Sequence, residues 1–218
     1  MADNDRPQFA SPPCFMHELD PAFRTGTEDA QTARDVGRWR KAQRQRLIAE
    51  RLAIPADERT RLAGLIADHL DEEAGDPDGR TIALYWPFRG EPDLRPWMQR
   101  VIDRGGRVAL PVVVAKGEPL EFRLWSPGEE LERGIWNIPV PAAGETVAPD
   151  IVISPLVGVD PERYRLGYGG GFYDRTLAAM AAKPLVIGVG YTSARLPTIY
   201  PQWHDVPMDR LVLAEPVL

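Results

Sequence analysis

The sequence predicts an α/β protein in which a mainly parallel, doubly wound sheet carries helices on both faces, giving three layers. Short apolar runs bounded by glycine, proline or aspartate alternate along the chain with longer stretches of good helix formers. This alternation favours a mainly parallel sheet covered by helices. In such sheets ligands bind in loops at the carboxyl ends of the strands. We therefore expect the functional residues in loops that follow the apolar runs.

Two helical stretches precede the first predicted strand. Good helix formers and basic residues predict a helix from residue 36 to about residue 53. A second helix is predicted from Pro55, which suits a first helical turn, to about residue 73. Residues 1–35 lack a sustained periodicity and are predicted to be an N-terminal extension. The α/β domain is therefore expected to cover residues 36–218.

Five apolar runs predict the strands of the sheet. They are TIALYWP at 81–87, RVALPVVV at 107–114, LEFRLW at 120–125, DIVISP at 150–155 and LVIGVGY at 185–191. A helix from about residue 94 to residue 104 lies between the first two runs and ends at two glycines. Another helix-forming run follows Asp174, so helices and strands alternate as a parallel sheet requires.

Composition and charge argue against several kinds of partner. A formal net charge of -6 disfavours a broad nucleic-acid-binding surface. No apolar stretch approaches the roughly 20 residues that span a membrane, and the polar N-terminus is unlike a secretory signal. Cys14 is the single cysteine, so no internal disulfide forms and no oxidising compartment is required. We expect a cytoplasmic, monomeric protein with neither a nucleic-acid nor a membrane partner.

A glycine-rich segment, RLGYGGGFYDR at 165–175, lies between an apolar run and a helix-forming run. Glycine permits positive φ and removes side chains, so backbone N–H groups can close on phosphate oxygens near the positive end of a helix. Arg165 and Arg175 flank the segment and suit bidentate phosphate contacts. The pattern predicts a phosphate-binding loop, although it matches neither a Walker loop nor a dinucleotide fingerprint. The alternative is a tight glycine-rich turn with Asp174 as the helix cap.

The same segment resembles the signature of the 5-formyltetrahydrofolate cyclo-ligases, also called methenyltetrahydrofolate synthetases. Five further matches to this family occur in the family's order. They are RKAQR at 40–44, GEPD at 90–93, LPVV at 110–113, GIWNIPVP at 134–141 and HDVPMD at 204–209. The matches extend from about residue 38 to the C-terminus, and their ordered co-occurrence is far more specific than the glycine loop alone.

The resemblance implies a ligase that uses ATP and Mg²⁺ to cyclise 5-formyltetrahydrofolate to 5,10-methenyltetrahydrofolate, with release of ADP and phosphate. The formamide oxygen is a very poor leaving group, and its phosphorylation lets N10 of the folate displace it as phosphate. This chemistry requires positioning and charge neutralisation more than a protein nucleophile. Two alternatives are a paralogue that acts on a different amide and a folate- or nucleotide-binding protein without turnover.

The resemblance assigns nucleotide contacts to two arginines of the first predicted helix and to residues of the glycine-rich segment 165–175. These residues are Arg40, Arg44, Arg165, Gly167, Tyr168, Gly169, Gly170, Gly171, Phe172 and Tyr173. Asp174 and Asp205 match the family's Mg²⁺ carboxylates and, with Arg165, are the expected catalytic residues. Without the resemblance, Asp174 is a helix cap, Asp205 is a turn residue, and the two N-terminal arginines lie on a solvated helix face.

Three residues match substrate-binding positions of the family. Glu91 corresponds to a glutamate that contacts the folate, since an acid accepts hydrogen bonds from the amino-pyrimidine part of the pterin. Trp136 corresponds to an aromatic residue that flanks the same site, where indole provides a flat apolar wall. Tyr173 is a weaker candidate for this site. The alternatives are a loop carboxylate for Glu91 and a core position for Trp136.

The chain departs from the family pattern in three places. Arg163 occupies a position where the family usually has glycine, and TSAR at 192–195 replaces a stretch that commonly contains glutamine. Neither departure changes a residue that is matched to a nucleotide-binding position. Both affect which substrate the resemblance would imply. The third is the extension, where Cys14 and His17 invite a metal interpretation but lack a second ligand pair. We predict instead that residues 11–21 pack on the domain near the mouth of the site through apolar side chains.

Overall fold

The computed structural model describes residues 30–216. The chain divides into two compact units, Met1–Ala42 and Gln43–Leu218. The predicted packing of residues 11–21, like the pair Cys14 and His17, lies outside the described part of the chain. The predicted domain boundary between residues 35 and 36 falls inside the first helix, which spans Ala30–Ala53, and it stays a prediction.

The described part of the chain forms four helices and ten strands. The helices are α1 (Ala30–Ala53), α2 (Ala56–Ala74), α3 (Arg95–Asp103) and α4 (Phe172–Ala179). The strands are β1 (Thr81–Ala83), β2 (Arg107–Val113), β3 (Leu120–Leu124), β4 (Leu131–Arg133), β5 (Pro139–Pro141), β6 (Ile151–Pro155), β7 (Gly158–Val159), β8 (Arg165–Leu166), β9 (Leu185–Tyr191) and β10 (Arg210–Ala214). None of these four helices is long and apolar enough to cross a membrane.

Six strands form the central sheet, in the order β10-β9-β6-β1-β2-β3. The pairs from β10 through to β2 are parallel, whereas β3 lies antiparallel to β2 at one edge. A short connection joins β2 to β3, and a short connection allows only an antiparallel pair, since parallel strands need a long crossover. Two further antiparallel pairs, β4 with β5 and β7 with β8, lie outside this sheet. The predicted mainly parallel sheet is confirmed.

The two faces of the sheet carry separate apolar clusters because successive side chains of a strand point to opposite faces. On one face, Ile82 of β1 belongs to a cluster with Leu62 of α2 and Trp97 of α3. On the other face, the neighbouring Ala83 belongs to a cluster with Leu177 of α4. Helices therefore cover both faces, and the predicted three-layer α/β fold is confirmed.

Apart from the short strands β4, β5, β7 and β8, which were not predicted, the predicted and observed elements differ in three main places. Helix α1 begins at Ala30, before the predicted start at residue 36. Strand β1 ends at Ala83 and not at residue 87. The next two residues, Leu84 and Tyr85, are buried but lie outside the strand. Strand β10 was not among the five predicted runs, because its apolar residues directly follow the motif HDVPMD and are easily taken as part of that loop.

The candidate functional loops lie where the chain crosses from one half of the sheet to the other. Strand β1 pairs with β2 on one side and with β6 on the other. The loops after β1 and β6 therefore leave the same carboxyl edge, which is the usual ligand position in doubly wound sheets. The first loop contains Glu91, and the second continues through β7 and β8 to the glycine-rich segment.

Candidate functional site

The glycine loop, residues 167–171, runs from β8 into α4. Gly171 is the N-cap of α4 with a φ of 63°, and Gly169 has a φ of 96°. Residues with side chains seldom adopt such backbone conformations. A Cβ on Gly171 would lie 2.8 Å from Nη1 of Arg175, a flexible side-chain end, so the positive φ is the main restriction at this position. Asp174 is the third residue of α4, so the alternative in which it caps the helix is wrong.

Two arginines donate hydrogen bonds to carbonyl oxygens of the glycine loop. Nε of Arg44 binds the carbonyl oxygen of Gly167 at 2.7 Å. Arg175 donates to the carbonyl oxygen of Gly170. Both guanidinium groups place positive charge beside the N-terminus of α4, which itself favours anions. Arg40, the other predicted basic contact, lies in the described part of the first unit and is half-buried in α1.

Arg165 is a buried cation that links β6 to α4. Its Nη1 donates to Oγ of Ser154 and its Nη2 to Oδ1 of Asp174, both at 2.9 Å. The guanidinium also lies 5.0 Å from the ring centroid of Tyr173. The side chains of Arg165 and Asp174 are only 3% and 15% exposed, so their ion pair is largely shielded from water. This pair holds one of the predicted metal carboxylates in a fixed orientation.

The two predicted metal carboxylates lie on neighbouring segments. The N–H of Val206 donates to Oδ1 of Asp174 at 3.2 Å, which places the residue after Asp205 against α4. Oδ2 of Asp205 accepts the N–H of Gln202 at 2.7 Å, so Asp205 also forms the turn of the alternative interpretation. Within residues 30–216 no three potential ligand side chains cluster. A cation bound here would complete its shell with phosphate oxygens and water, which Mg²⁺ accepts.

Glu91 is buried at the carboxyl edge of the sheet, with 6% of its surface exposed. Its Oε2 accepts the N–H of Phe88 at 2.9 Å, and its Oε1 accepts the hydroxyl of Tyr168 at 2.8 Å. Burial raises the pKa of Glu91 to about 7, although Arg51 and both hydrogen bonds act to lower it. Unlike a solvated loop carboxylate, Glu91 is therefore divided between its charged and neutral forms near neutral pH.

Arg51 is a buried partner of the Glu91 loop that sequence reasoning missed. Its guanidinium donates to the carbonyl oxygen of Arg89 at 2.9 Å, to that of Leu156 at 3.2 Å and to the hydroxyl of Tyr168 at 2.6 Å. In sequence it is one of many basic residues in α1. No local pattern distinguishes it from solvated neighbours, because its role depends on contacts made across the fold.

The predicted aromatic contacts, Trp136 and Tyr173, differ in how far they are exposed to solvent. Trp136 is 54% exposed and lies edge-on to Phe172, with ring centroids 6.1 Å apart, so a core position for it is wrong. The hydroxyl of Tyr173 is buried and has no hydrogen-bond partner within residues 30–216. Burial raises the pKa of Tyr173 well above its usual value, which Arg165 opposes and Glu91 reinforces. The site thus offers an accessible apolar ring and a neutral phenol.

Arg163 stands at the position where the resembled family usually has glycine, and its own backbone has a conformation that suits glycine. Its φ is 68°, in the left-handed region that glycine adopts without strain. Its Nε donates to the carbonyl oxygen of Met208 at 3.0 Å, and its own carbonyl oxygen accepts the N–H of Met208 at 3.0 Å. Arg163 therefore binds the segment that follows Asp205. The other departure forms a 3₁₀ turn, Thr192–Ala194, after β9.

Residues 36–214 match the model of the 5-formyltetrahydrofolate cyclo-ligase family. One relative is the 5-formyltetrahydrofolate cyclo-ligase of Mycolicibacterium smegmatis, which is 34% identical over 142 residues, covering 62% of this chain and 73% of the relative. Another is the 5-formyltetrahydrofolate cyclo-ligase of Escherichia coli K12, which is 33% identical over 140 residues, covering 61% and 76%.

Two solved structures resemble the fold. The NMR structure of Aquifex aeolicus 5,10-methenyltetrahydrofolate synthetase has a TM-score of 0.69 and 30% identity, covering 80% of this chain and 89% of that one. The 5,10-methenyltetrahydrofolate synthetase from Mycoplasma pneumoniae has a TM-score of 0.66 and 24% identity, covering 79% and 97%. Both likenesses agree with the three-layer α/β architecture described above.

Proposed function

The chain belongs to the 5-formyltetrahydrofolate cyclo-ligase family, and we propose that it uses ATP and Mg²⁺ to convert 5-formyltetrahydrofolate to 5,10-methenyltetrahydrofolate, with release of ADP and phosphate. Family membership makes it a ligase of folate one-carbon metabolism. The observation that carries the finer proposal is the hydrogen bond from Tyr168 to Glu91. Through it, a glycine loop suited to phosphate and a buried acid suited to a pterin meet at one edge of the sheet.

The glycine loop is the proposed site of the nucleotide phosphates. It supplies backbone N–H groups at the start of α4, where the helix dipole favours negative charge. Arg44 and Arg175 add positive charge at the loop carbonyl oxygens. Arg40, Arg165, Phe172 and Tyr173 complete the proposed set of nucleotide contacts.

Asp174 and Asp205 are the proposed ligands of the Mg²⁺ ion. Two carboxylates, together with phosphate oxygens and water, make the donor set that this ion prefers. When bound, the ion neutralises charge on the transferring phosphoryl group. The ion pair with Arg165 keeps Asp174 oriented towards the segment that carries Asp205.

The reduced folate is proposed to bind at Glu91, Trp136 and Tyr173. The carboxylate of Glu91 accepts hydrogen bonds from the amino-pyrimidine ring, and the exposed indole of Trp136 covers an apolar face of the ligand. The hydroxyl of Tyr173, which lacks a partner within residues 30–216, donates to an acceptor on the ligand.

In the proposed reaction, the γ-phosphoryl group transfers to the formyl oxygen of the folate. N10 then attacks the formyl carbon and loses its proton, and the bond from that carbon to oxygen breaks to release phosphate. Positioning and charge neutralisation are the main requirements. The buried cation Arg165 and the positive glycine loop supply them without a nucleophile from the chain.

An assay of the purified full chain with 5-formyltetrahydrofolate and Mg-ATP tests the proposal. Product absorbance and ADP release are followed together, and we expect equal amounts of methenyl product and ADP, with both abolished by EDTA. Release of ADP without methenyl product would mean a different acceptor. Neither product despite tight ATP binding would mean a protein without turnover. The monomeric state and cytoplasmic location stay predictions.

A further inference from the structure

The loop that carries Glu91, residues 88–92, is bound through its backbone by side chains from four parts of the chain. The donors and the carbonyl oxygens they bind are Tyr168 with Phe88 (3.4 Å), Arg51 with Arg89 (2.9 Å), Tyr191 with Gly90 (3.2 Å) and Tyr85 with Pro92 (2.9 Å). Three of these donors lie in α1, at the end of β9 and just after β1. The fourth, Tyr168, lies in the glycine loop.

Tyr168 joins the glycine loop to the side chain of Glu91 as well as to the backbone near it. Its hydroxyl accepts a hydrogen bond from Nη2 of Arg51 at 2.6 Å and donates to Oε1 of Glu91 at 2.8 Å. A phenol has one proton to donate. The contact with Glu91 is shorter than that with the carbonyl oxygen of Phe88 at 3.4 Å, so Glu91 is the main acceptor.

We propose that Tyr168 couples the two ligand sites, so that a nucleotide on the glycine loop and a reduced folate at Glu91 strengthen each other's binding. This inference rests on the proposed function. Tyr168 lies between Gly167 and Gly169, and glycine loses more backbone freedom on ordering than any other residue. In this structure the phenol already lies between Arg51 and Glu91, so the glycine loop cannot change its conformation around a nucleotide without moving a hydrogen-bond partner of Glu91. A ligand at either site that stabilises this arrangement therefore favours binding of the other ligand, which is positive cooperativity.

Two conservative variants separate this coupling from general support of the loop. Tyr168→Phe removes the hydroxyl but keeps the ring, whose centroid lies 5.7 Å from that of Phe88. Tyr191→Phe is the matched control, because its hydroxyl binds Gly90 in the same loop from β9. Each variant loses one hydroxyl that binds residues 88–92, so we expect both variants to hold this loop less firmly. Loss of coupling is expected only in Tyr168→Phe.

Isothermal titration calorimetry of the full chain measures the coupling. A non-hydrolysable ATP analogue with Mg²⁺ is titrated with and without saturating 5-formyltetrahydrofolate. We expect folate to tighten binding of the analogue about tenfold in the wild type and in Tyr191→Phe, and less than about twofold in Tyr168→Phe. No tightening in the wild type, or equal tightening in Tyr168→Phe, overturns the inference and leaves the proposed function standing. Failure of the wild type to bind either ligand overturns both.

Amide hydrogen exchange gives a second readout that needs no folate. With the ATP analogue and Mg²⁺ alone, residues 167–171 should become more protected in the wild type and in both variants. Residues 88–92 should gain protection in the wild type and in Tyr191→Phe but not in Tyr168→Phe. Protection of residues 88–92 that is the same in the wild type and Tyr168→Phe, or absent from the wild type, overturns the inference.

Discussion

Two loops at the site each carry a proposed functional acid, and the fold holds these acids differently. Glu91 is buried, and the loop around it binds side chains from α1, β9 and the glycine loop. Asp205 forms a turn with Gln202, three residues away, in a loop whose Trp203 is 91% exposed. Substitution of an acid that is buried in a network should change stability and ligand binding together. Asp205 itself is half-buried in a short local turn, and an acid held in this way can affect activity with a small effect on folding.

The largest expected effect on stability follows removal of Arg51. Arg51→Ala leaves the carbonyl oxygens of Arg89 and Leu156 and the hydroxyl of Tyr168 without their buried donor. The buried carbonyl oxygen of Leu156 then lacks a partner, which costs about 1–3 kcal/mol, and each of the other two lost hydrogen bonds costs about 1 kcal/mol, so the free energy of unfolding should fall by about 3 kcal/mol. Urea unfolding followed by circular dichroism measures it.

Arg46 provides the matched control in the same helix, since its ion pair with Glu50 is largely exposed. Arg46→Ala should change the free energy of unfolding by less than about 1 kcal/mol. Similar losses of unfolding free energy in Arg51→Ala and Arg46→Ala would show that the buried hydrogen bonds of Arg51 do not stabilise the fold. The loop around Glu91 would then not differ from the Asp205 loop in stability.

A second expected effect is the pH dependence contributed by Glu91. Its folded-state pKa is raised to about 7 from a usual value of 4.5, so folding takes up protons between these values. The wild type should therefore lose stability relative to Glu91→Gln as pH rises from 4.5 to 7, by about 3 kcal/mol, and keep a constant difference above 7. Thermal unfolding of both proteins across this range measures the difference, and a flat difference would contradict the burial argument.

Asp205 should show the opposite behaviour, with a large effect on turnover and a small one on folding. Asp205→Ala removes a proposed metal carboxylate and the acceptor for Gln202. We expect kcat to fall about 100-fold or more while the free energy of unfolding changes by about 1 kcal/mol. Asp205→Asn retains an oxygen acceptor for the turn but loses the charge, so its kcat should be equally low. Wild-type turnover in Asp205→Asn would remove this residue from the metal site.

The smallest expected effect concerns Arg163. Arg163→Gly relieves the positive φ of 68° and loses the hydrogen bond from Nε to Met208, so the two changes nearly cancel. Arg163→Ala loses the hydrogen bond and keeps the unfavourable backbone, so it should be less stable than the glycine variant by about 1 kcal/mol. Equal midpoints of unfolding in urea for the two variants would show that the positive φ at residue 163 does not destabilise the fold.

The sequence predicts the fold well because periodicity and breakers are local. Helix α2 and strands β2, β3, β6 and β9 lie within a few residues of their predicted positions. The strands β4, β5, β7 and β8, of two or three residues each, escape prediction, since such short runs become strands only through their partners. At the site, the glycine loop could be found from spacing. The burial of Glu91 and its link through Tyr168 to Arg51 could not, because these contacts join distant parts of the chain.

The place of β1 between β2 and β6 has a kinetic consequence. Strand β1 pairs with β6 through Ile82 and Ile151, which are far apart in the chain. Pairings of this kind form slowly, since a long loop must close before any contact rewards it. Refolding from urea should therefore take milliseconds or longer. Catalytic activity should return only with the slowest phase, because the loop that carries Glu91 follows β1 and the connection that leads to the glycine loop follows β6.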